Sequence, residues 1–300
     1  MKILNFGSAN VDYVYTLDHI VMGGETISSK ELNIFPGGKG LNQSIALARA
    51  GVKAYHAGCI GLDGQLLIDT FESDGVDLKY VRRVEEKSGH AIIQVSRDGE
   101  NSIVLYAGSN HKITKEHIDD VLSDFSEGDI ILLQNEISNL EYVIEKAAKK
   151  GMFIIFNCSP INDNIFSIDY SLINCVILNE VEMSAITDKE SFEEGIDDIL
   201  ARYPDMKIML TLGKHGCLYA DKNTRVTHPI FETNVVDTTA AGDTFTGYFI
   251  SEMAKGTNIA DILKIASCAS AIAVSRHGAS TSIPKYDEVM AALNTMKTKQ

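Results

Sequence analysis

Ile130-Ile131-Leu132-Leu133-Gln134-Asn135-Glu136 is an apolar run that stops on two amides and a carboxylate. A short apolar run of this kind fits a strand buried on both faces, as in a parallel sheet. The pattern recurs along the chain. Lys2–Phe6 leads into Gly7-Ser8-Ala9-Asn10-Val11-Asp12, and Met152–Phe156 leads into Asn157. Val176–Leu178 leads into Asn179-Glu180-Val181-Glu182, and Ile208–Leu210 into Thr211-Leu212-Gly213. Helical spacing fills intervals such as Leu140–Lys150 and Ser191–Ala201. Strands alternating with helices give an α/β sheet with right-handed crossovers. Ligands of such sheets bind beyond the carboxyl ends of the strands. The polar residues that follow each run are therefore expected to converge on one edge.

Two regions break the alternation. His90–Ser96 reads as a strand, Asp98-Gly99 as a turn and Ser102–Tyr106 as a returning strand, with no helix between. Ile27–Phe35 is also strand-like. These pieces predict a small second sheet, with strands drawn from about 12–35 and 90–107, on a single domain spanning residues 1–300. Apolar residues fall on both of its faces, at Ala91, Ile93 and Val95 and again at Ile92. Such a sheet needs cover from substrate, the main body or another subunit. The last third of the chain is helical, with Phe245, Tyr248, Phe249 and Met253 in one register and Ile259, Ile262, Leu263 and Ala266 in another.

The chain of 300 residues carries a formal charge of -14, which argues against nucleic acid as a partner. No run approaches the roughly 20 apolar residues of a membrane span. The N-terminal apolar stretch is too short for a secretion signal. Five cysteines without a Cys-x-x-Cys spacing fit reduced, buried thiols in a cytoplasmic protein.

Two glycine-rich segments stand out. Pro36-Gly37-Gly38-Lys39-Gly40-Leu41-Asn42-Gln43 opens a helix. It is no P-loop, since Gly40 follows Lys39 where Ser or Thr is required. No Gly-x-Gly-x-x-Gly follows the first strand, so a dinucleotide fold has no support. Asp237-Thr238-Thr239-Ala240-Ala241-Gly242-Asp243 precedes an amphipathic helix. A helix N-terminus offers unpaired amides and a favourable dipole to an anion. On position alone, Asp243 serves equally as a helix cap or as a catalytic base.

Gly37–Gln43 resembles the first signature of the ribokinase-like (PfkB) carbohydrate kinases, and Asp237–Phe245 resembles their second. Gly24-Glu25-Thr26, Asn179-x-x-Glu182, Thr211-Leu212-Gly213 and Arg276-His277-Gly278-Ala279 follow the same family order. The resemblance implies a three-layer α/β/α sandwich with a small β-sheet lid. It implies transfer of the terminal phosphate of ATP to the 5-hydroxyl of D-ribose, or alternatively to another sugar or nucleoside such as deoxyribose. A non-catalytic sugar-binding relative is the alternative of another class. Asp243 becomes the base, with the amides of Ala240, Ala241, Gly242 and Asp243 as an anion hole. Sugar binding falls to Asn10, Asp12, Gly38, Lys39, Asn42 and Glu136, beneath Ala91 and Ile93 of the lid. Nucleotide contacts fall to Asn179, Thr211, Gly213, Gly242 and Ser267, where Ser267 replaces a longer polar residue. Glu182 organises magnesium through water. Asp237, Thr239, Ala273, Arg276, Gly278 and Ser282 surround a potassium ion, and the lid pairs two subunits into a homodimer.

Overall fold

The buried apolar runs become the centre of a nine-stranded sheet, and the two irregular regions become a separate sheet of four strands. The computed structural model describes residues 1–299. Its strands are β1 (Ile3–Phe6), β2 (Asn10–Thr16), β3 (Glu31–Gly37), β4 (Ala54–Gly61), β5 (Asp77–Val84), β6 (Gly89–Val95) and β7 (Asn101–Tyr106). They continue as β8 (Ile130–Gln134), β9 (Phe153–Asn157), β10 (Cys175–Asn179), β11 (Lys207–Thr211), β12 (Cys217–Ala220) and β13 (Arg225–His228). The large sheet runs β13-β12-β11-β10-β9-β8-β1-β4-β5 and the small one β3-β2-β6-β7. Strands from β5 through β11 pair in parallel, while β12 and β13 return antiparallel.

The helices are α1 (Lys39–Arg49), α2 (Gln65–Ser73), α3 (Lys115–Ser123), α4 (Leu140–Lys149), α5 (Glu180–Thr187), α6 (Phe192–Arg202), α7 (Ala241–Lys255), α8 (Ile259–Ala273) and α9 (Tyr286–Ala292). One face of the large sheet packs Leu4, Phe6, Leu133 and Leu210 against α3, α4 and α6. The other packs Ile3, Leu132 and Met209 against α7 and α8. Helices on both faces complete an α/β/α sandwich with the small sheet as a lid.

The lid starts earlier than the sequence suggests. Gly7-Ser8-Ala9 reads as the polar tail of β1, yet Asn10 already pairs with Gly37 and Gly89 in the small sheet. Three residues carry the chain from one sheet to the other. β3 in turn begins at Glu31 rather than Ile27. Helices α1 and α7 touch at their backbones. A Cβ on Gly247 would sit 2.3 Å from the Ala46 Cβ and 2.8 Å from the Leu47 nitrogen. Only a glycine permits that approach. It brings both glycine-rich segments to one place.

Candidate active site

The site is built around the N-terminus of α7. Ala240 adopts a left-handed conformation, with φ of 59°, and turns the chain into the helix. Ala241, Gly242 and Asp243 therefore form the first turn rather than preceding it. The backbone N–H groups of Ala240, Gly242 and Asp243 have no hydrogen-bond partner among the described residues, while Ala241 donates to the Thr238 carbonyl at 3.3 Å. Asp243 makes no capping bond. Its carboxylate instead accepts from the Asn42 side chain at 3.0 Å and from the Gln43 side chain at 2.8 Å. The capping reading of Asp243 is thereby excluded. Asn42 keeps one buried acceptor, Oδ1, without a partner.

Next to these amides lies a cavity of about 240 Å³ whose walls include Lys39, Asn157, Ser159, Glu182 and Asp243. Lys39 was assigned to the sugar, but its side chain belongs to this cavity and not to the one beside the lid. Burial works against its charge, yet the carboxylates of Asp243, Glu136 and Glu182 hold its pKa above the ordinary value. Asn179 and Glu182 share a capping box at the start of α5, each accepting from the other's backbone amide at 2.9 Å. Ser159 also donates to the Glu182 carboxylate. Glu182 is thus fixed in place before any ligand arrives.

A second, largely apolar cavity of about 430 Å³ continues from the first through Asn179, Thr211, Thr238, Ala241 and Gly242. Ile230, Phe231, Val235, Phe245 and Gly213 line it. Ser267 lies on its wall and meets the Cys217 thiol at 3.5 Å. The shape suits a flat, weakly polar heterocycle attached to an anionic tail.

A third cavity, about 170 Å³, opens beneath the lid and is bounded by Asn10, Asn110, Tyr106, Asn135 and Glu136. Asn110 donates to the Asn10 Oδ1 at 2.7 Å, which leaves the Asn10 amide N–H groups as donors. Glu136 accepts from the Ser8 hydroxyl and, at 3.4 Å, from the Lys39 backbone amide. Burial keeps the Glu136 carboxyl above its usual range, against the pull of Lys39 and Ser8. Asp12 and Ala91 are register partners and share a lid face, with Ile93 two residues further along β6. Burial first, and Glu136 second, push the Asp12 carboxyl up to about 7. Asp12, Gly38, Asn42, Ala91 and Ile93 border none of these three cavities. Gly38, with φ of 93°, starts α1 between the lid and Lys39.

Two loops behind the α7 N-terminus are tied together. Asp237 accepts from the Thr239 backbone at 2.9 Å, from the Thr239 hydroxyl at 2.6 Å and from the Gly278 amide at 3.0 Å. Burial opposes its charge, and these bonds outweigh it and lower its pKa. The carbonyls of Thr239, Arg276, Gly278 and Ser282 accept no hydrogen bond from the described residues, whereas that of Ala273 accepts from Arg276. The Arg276 side chain reaches away to Glu288 at 2.7 Å.

A model of the pfkB family carbohydrate kinases matches residues 1–286. The chain belongs to that family. A ribokinase of Bacillus subtilis is 33% identical, with 98% of this chain and 99% of that protein covered. A solved ribokinase from Thermotoga maritima superposes with a TM-score of 0.87 at 34% identity, covering 98% of this chain and 99% of the other. The Arabidopsis thaliana ribokinase solved with ribose and ATP gives 0.86 at 29% identity, covering 97% and 98%. As a pfkB carbohydrate kinase, the chain is a phosphotransferase with a sugar hydroxyl as acceptor.

Three residues at the site received no role in the sequence reading: Ser159 lines the anionic cavity beside Asn157, Asn110 orients Asn10, and Gln43 holds Asp243. Asn157 carried a signal, since it ends a buried strand. Asn110 carried none, because it follows the lid in a short 3₁₀ turn.

Proposed function

We propose that this chain is an ATP-dependent kinase that phosphorylates the 5-hydroxyl of D-ribose. The observation that carries the reading is the placement of the Asp243 carboxylate beside the unpaired amides of Gly242 and its own residue. Asp243 takes the proton of the attacking hydroxyl as the new O–P bond forms and the bond to the ADP oxygen breaks. The free amides and Lys39 stabilise the charge that spreads over the transferring phosphoryl oxygens. Asn10 donates to the sugar, Asp12 and Glu136 accept from its hydroxyls, and the free Asn42 Oδ1 supplies a further acceptor. Ala91 and Ile93 roof the sugar and exclude water. The heterocycle of ATP fills the apolar cavity against Thr211, Gly213 and Ser267.

The hard oxygens of Glu182, Asn157 and Ser159 suit a hydrated magnesium ion, which neutralises phosphate charge when bound. The unpaired carbonyls near Asp237 suit a monovalent cation, which steadies the loop behind the anion hole. Exposed apolar residues on the lid, including Ile34, Val104 and Leu105, support pairing of two copies. Among the described residues no helix is long and apolar enough to cross a membrane, and buried free thiols at all five cysteines support a cytoplasmic setting. We read residues 1–300 as one kinase unit.

A panel of pentoses, hexoses and nucleosides, assayed for ADP release with Mg-ATP, tests this reading. D-ribose is expected to give the highest kcat/KM; a nucleoside that surpasses it would overturn the substrate assignment. The same assay in potassium against sodium is expected to favour potassium. Equal rates in both would remove the cation site at Asp237.

The Asp12 pKa predicts a pH dependence for sugar binding. Burial and the Glu136 charge lift the Asp12 pKa to about 7, so this carboxyl changes protonation in the neutral range rather than near the usual carboxylate value. As pH falls through about 7, protonation replaces an acceptor, so ribose affinity is expected to weaken from pH 8 to 6. Asp12→Asn is expected to flatten that dependence. Calorimetric titration across the range checks both; an Asp12→Asn protein with the same slope would assign the effect elsewhere.

A further inference from the structure

Two polar side chains interrupt the central strands of the large sheet. Asn5 lies mid-way along β1 and Gln134 ends β8; both are 0% exposed. Neither touches a cavity described above. Buried amides on core strands need a reason, because apolar residues of similar shape do at least as well there.

Their hydrogen bonds lead to Asp243. The carboxylate accepts from Gln43 Nε2 at 2.8 Å. The other end of that amide, Gln43 Oε1, accepts from Gln134 Nε2 at 2.7 Å. The same Nε2 donates to Asn5 Oδ1 at 2.9 Å. Asn5 Nδ2 then donates to the Gly40 carbonyl at 2.8 Å and to the Ser44 hydroxyl at 2.9 Å. Ser44 meets His56 Nδ1 at 2.9 Å.

The chain has a direction. A carboxylate accepts only, so Gln43 must turn its nitrogen toward Asp243 and its oxygen toward Gln134. Gln134 must then donate, and its own Oε1 is left without a partner. Were Gln43 flipped, its oxygen would face the carboxylate and its nitrogen would face the Gln134 nitrogen. Both contacts would be repulsive.

We propose that Gln43 is a positioning residue for Asp243, and that Gln134 and Asn5 lock it in the donating orientation. The geometry references the base to β1 and β8, two neighbouring interior strands, so its two oxygens cannot exchange places by rotation. One oxygen is held by Gln43 and the other by Asn42. The proposal rests on Asp243 being the base.

The test uses the full chain with D-ribose and Mg-ATP, and four variants: Gln43→Met, Gln134→Met, the double variant of these two, and Asp243→Asn. Gln43→Met is expected to lower kcat about ten- to a hundredfold, the scale of a lost hydrogen bond to a charged group. Ribose KM is expected to stay within about twofold, because the sugar contacts are elsewhere. The acidic limb of the kcat profile is expected to move to higher pH, since a carboxylate that loses a donor holds its proton more tightly. Gln134→Met is expected to shift that limb in the same direction by less. The double variant is expected to fall short of the sum, as members of one network do.

A Gln43→Met protein with unchanged kcat and acidic limb, while Asp243→Asn is inactive, overturns this proposal alone. Normal turnover in Asp243→Asn overturns the base assignment instead. A loss confined to KM also overturns the positioning role. If Gln43→Met fails to fold, Gln134→Met decides: a shifted limb with an unchanged melting temperature supports the network, and an unmoved limb overturns it.

Discussion

Asp243→Asn is expected to cut turnover about 10²–10⁴-fold while ribose still binds with near-normal affinity. The substitution keeps the shape of the side chain and its place in the first turn of α7. It removes the negative charge that receives the proton, and it sets an amide nitrogen against one of two donors, Asn42 Nδ2 or Gln43 Nε2. The sugar partners Asn10 and Glu136 lie on other elements and remain in place. The free amides at Gly242 and residue 243 also remain, so residual phosphoryl transfer above the uncatalysed rate is expected. Steady-state ADP release gives kcat, and calorimetry with D-ribose gives affinity. Turnover within about tenfold of the parent would remove Asp243 from the role of base.

Lys39→Met carries the second large effect. Lys39 is the one cationic side chain among the residues that line the anionic cavity, in a chain of net charge -14. Three carboxylates, on Asp243, Glu136 and Glu182, face it. Without it, the arriving Mg-triphosphate meets these carboxylates with no cationic side chain in the cavity to balance them. Turnover is expected to fall about 10²–10³-fold, the scale seen when a donor is removed from a site of developing charge. KM for ATP is expected to rise as well, whereas a purely sugar-binding lysine would raise KM for ribose alone. Methionine keeps the aliphatic stem without the charge, so the variant tests the ammonium group rather than the volume of the side chain. Unchanged kcat and unchanged KM for ATP would return Lys39 to the sugar.

The elements that were legible in the sequence are those buried on both faces. β8, β10 and β11 announce themselves as unbroken apolar runs, each within one or two residues of its bounds. The outer strands do not. β5, Asp77-Leu78-Lys79-Tyr80-Val81-Arg82-Arg83-Val84, lies at the sheet edge, exposes its charges and imitates a loop. β13 at the opposite edge alternates exposed and half-buried residues and reads no better. The catalytic end of the site was legible because glycines and an aspartate cluster before a helix. Its support was not. Gln43 is one polar residue in a helix, and only the fold shows that it points inward, at 0% exposure, toward Asp243. Asn5 and Gln134 held a usable signal, since an amide inside an apolar strand is costly without a partner.

The backbone contact of Gly247 with Ala46 and Leu47 also sets a timetable for synthesis. Helix α1 leaves the ribosome early, but the helix that covers its inner face comes roughly 200 residues later, on the order of 10–40 s at ordinary elongation rates. Until then Leu47 and Ala50 have Ile3, Ala54, Ile130 and Leu132 beside them but lack Phe245, Tyr248 and Phe249, which complete the same apolar cluster. The delay has a second side. Asn10 and Glu136 are translated long before Asp243, so a chain stopped short of α7 lacks the carboxylate that Asn42 and Gln43 hold.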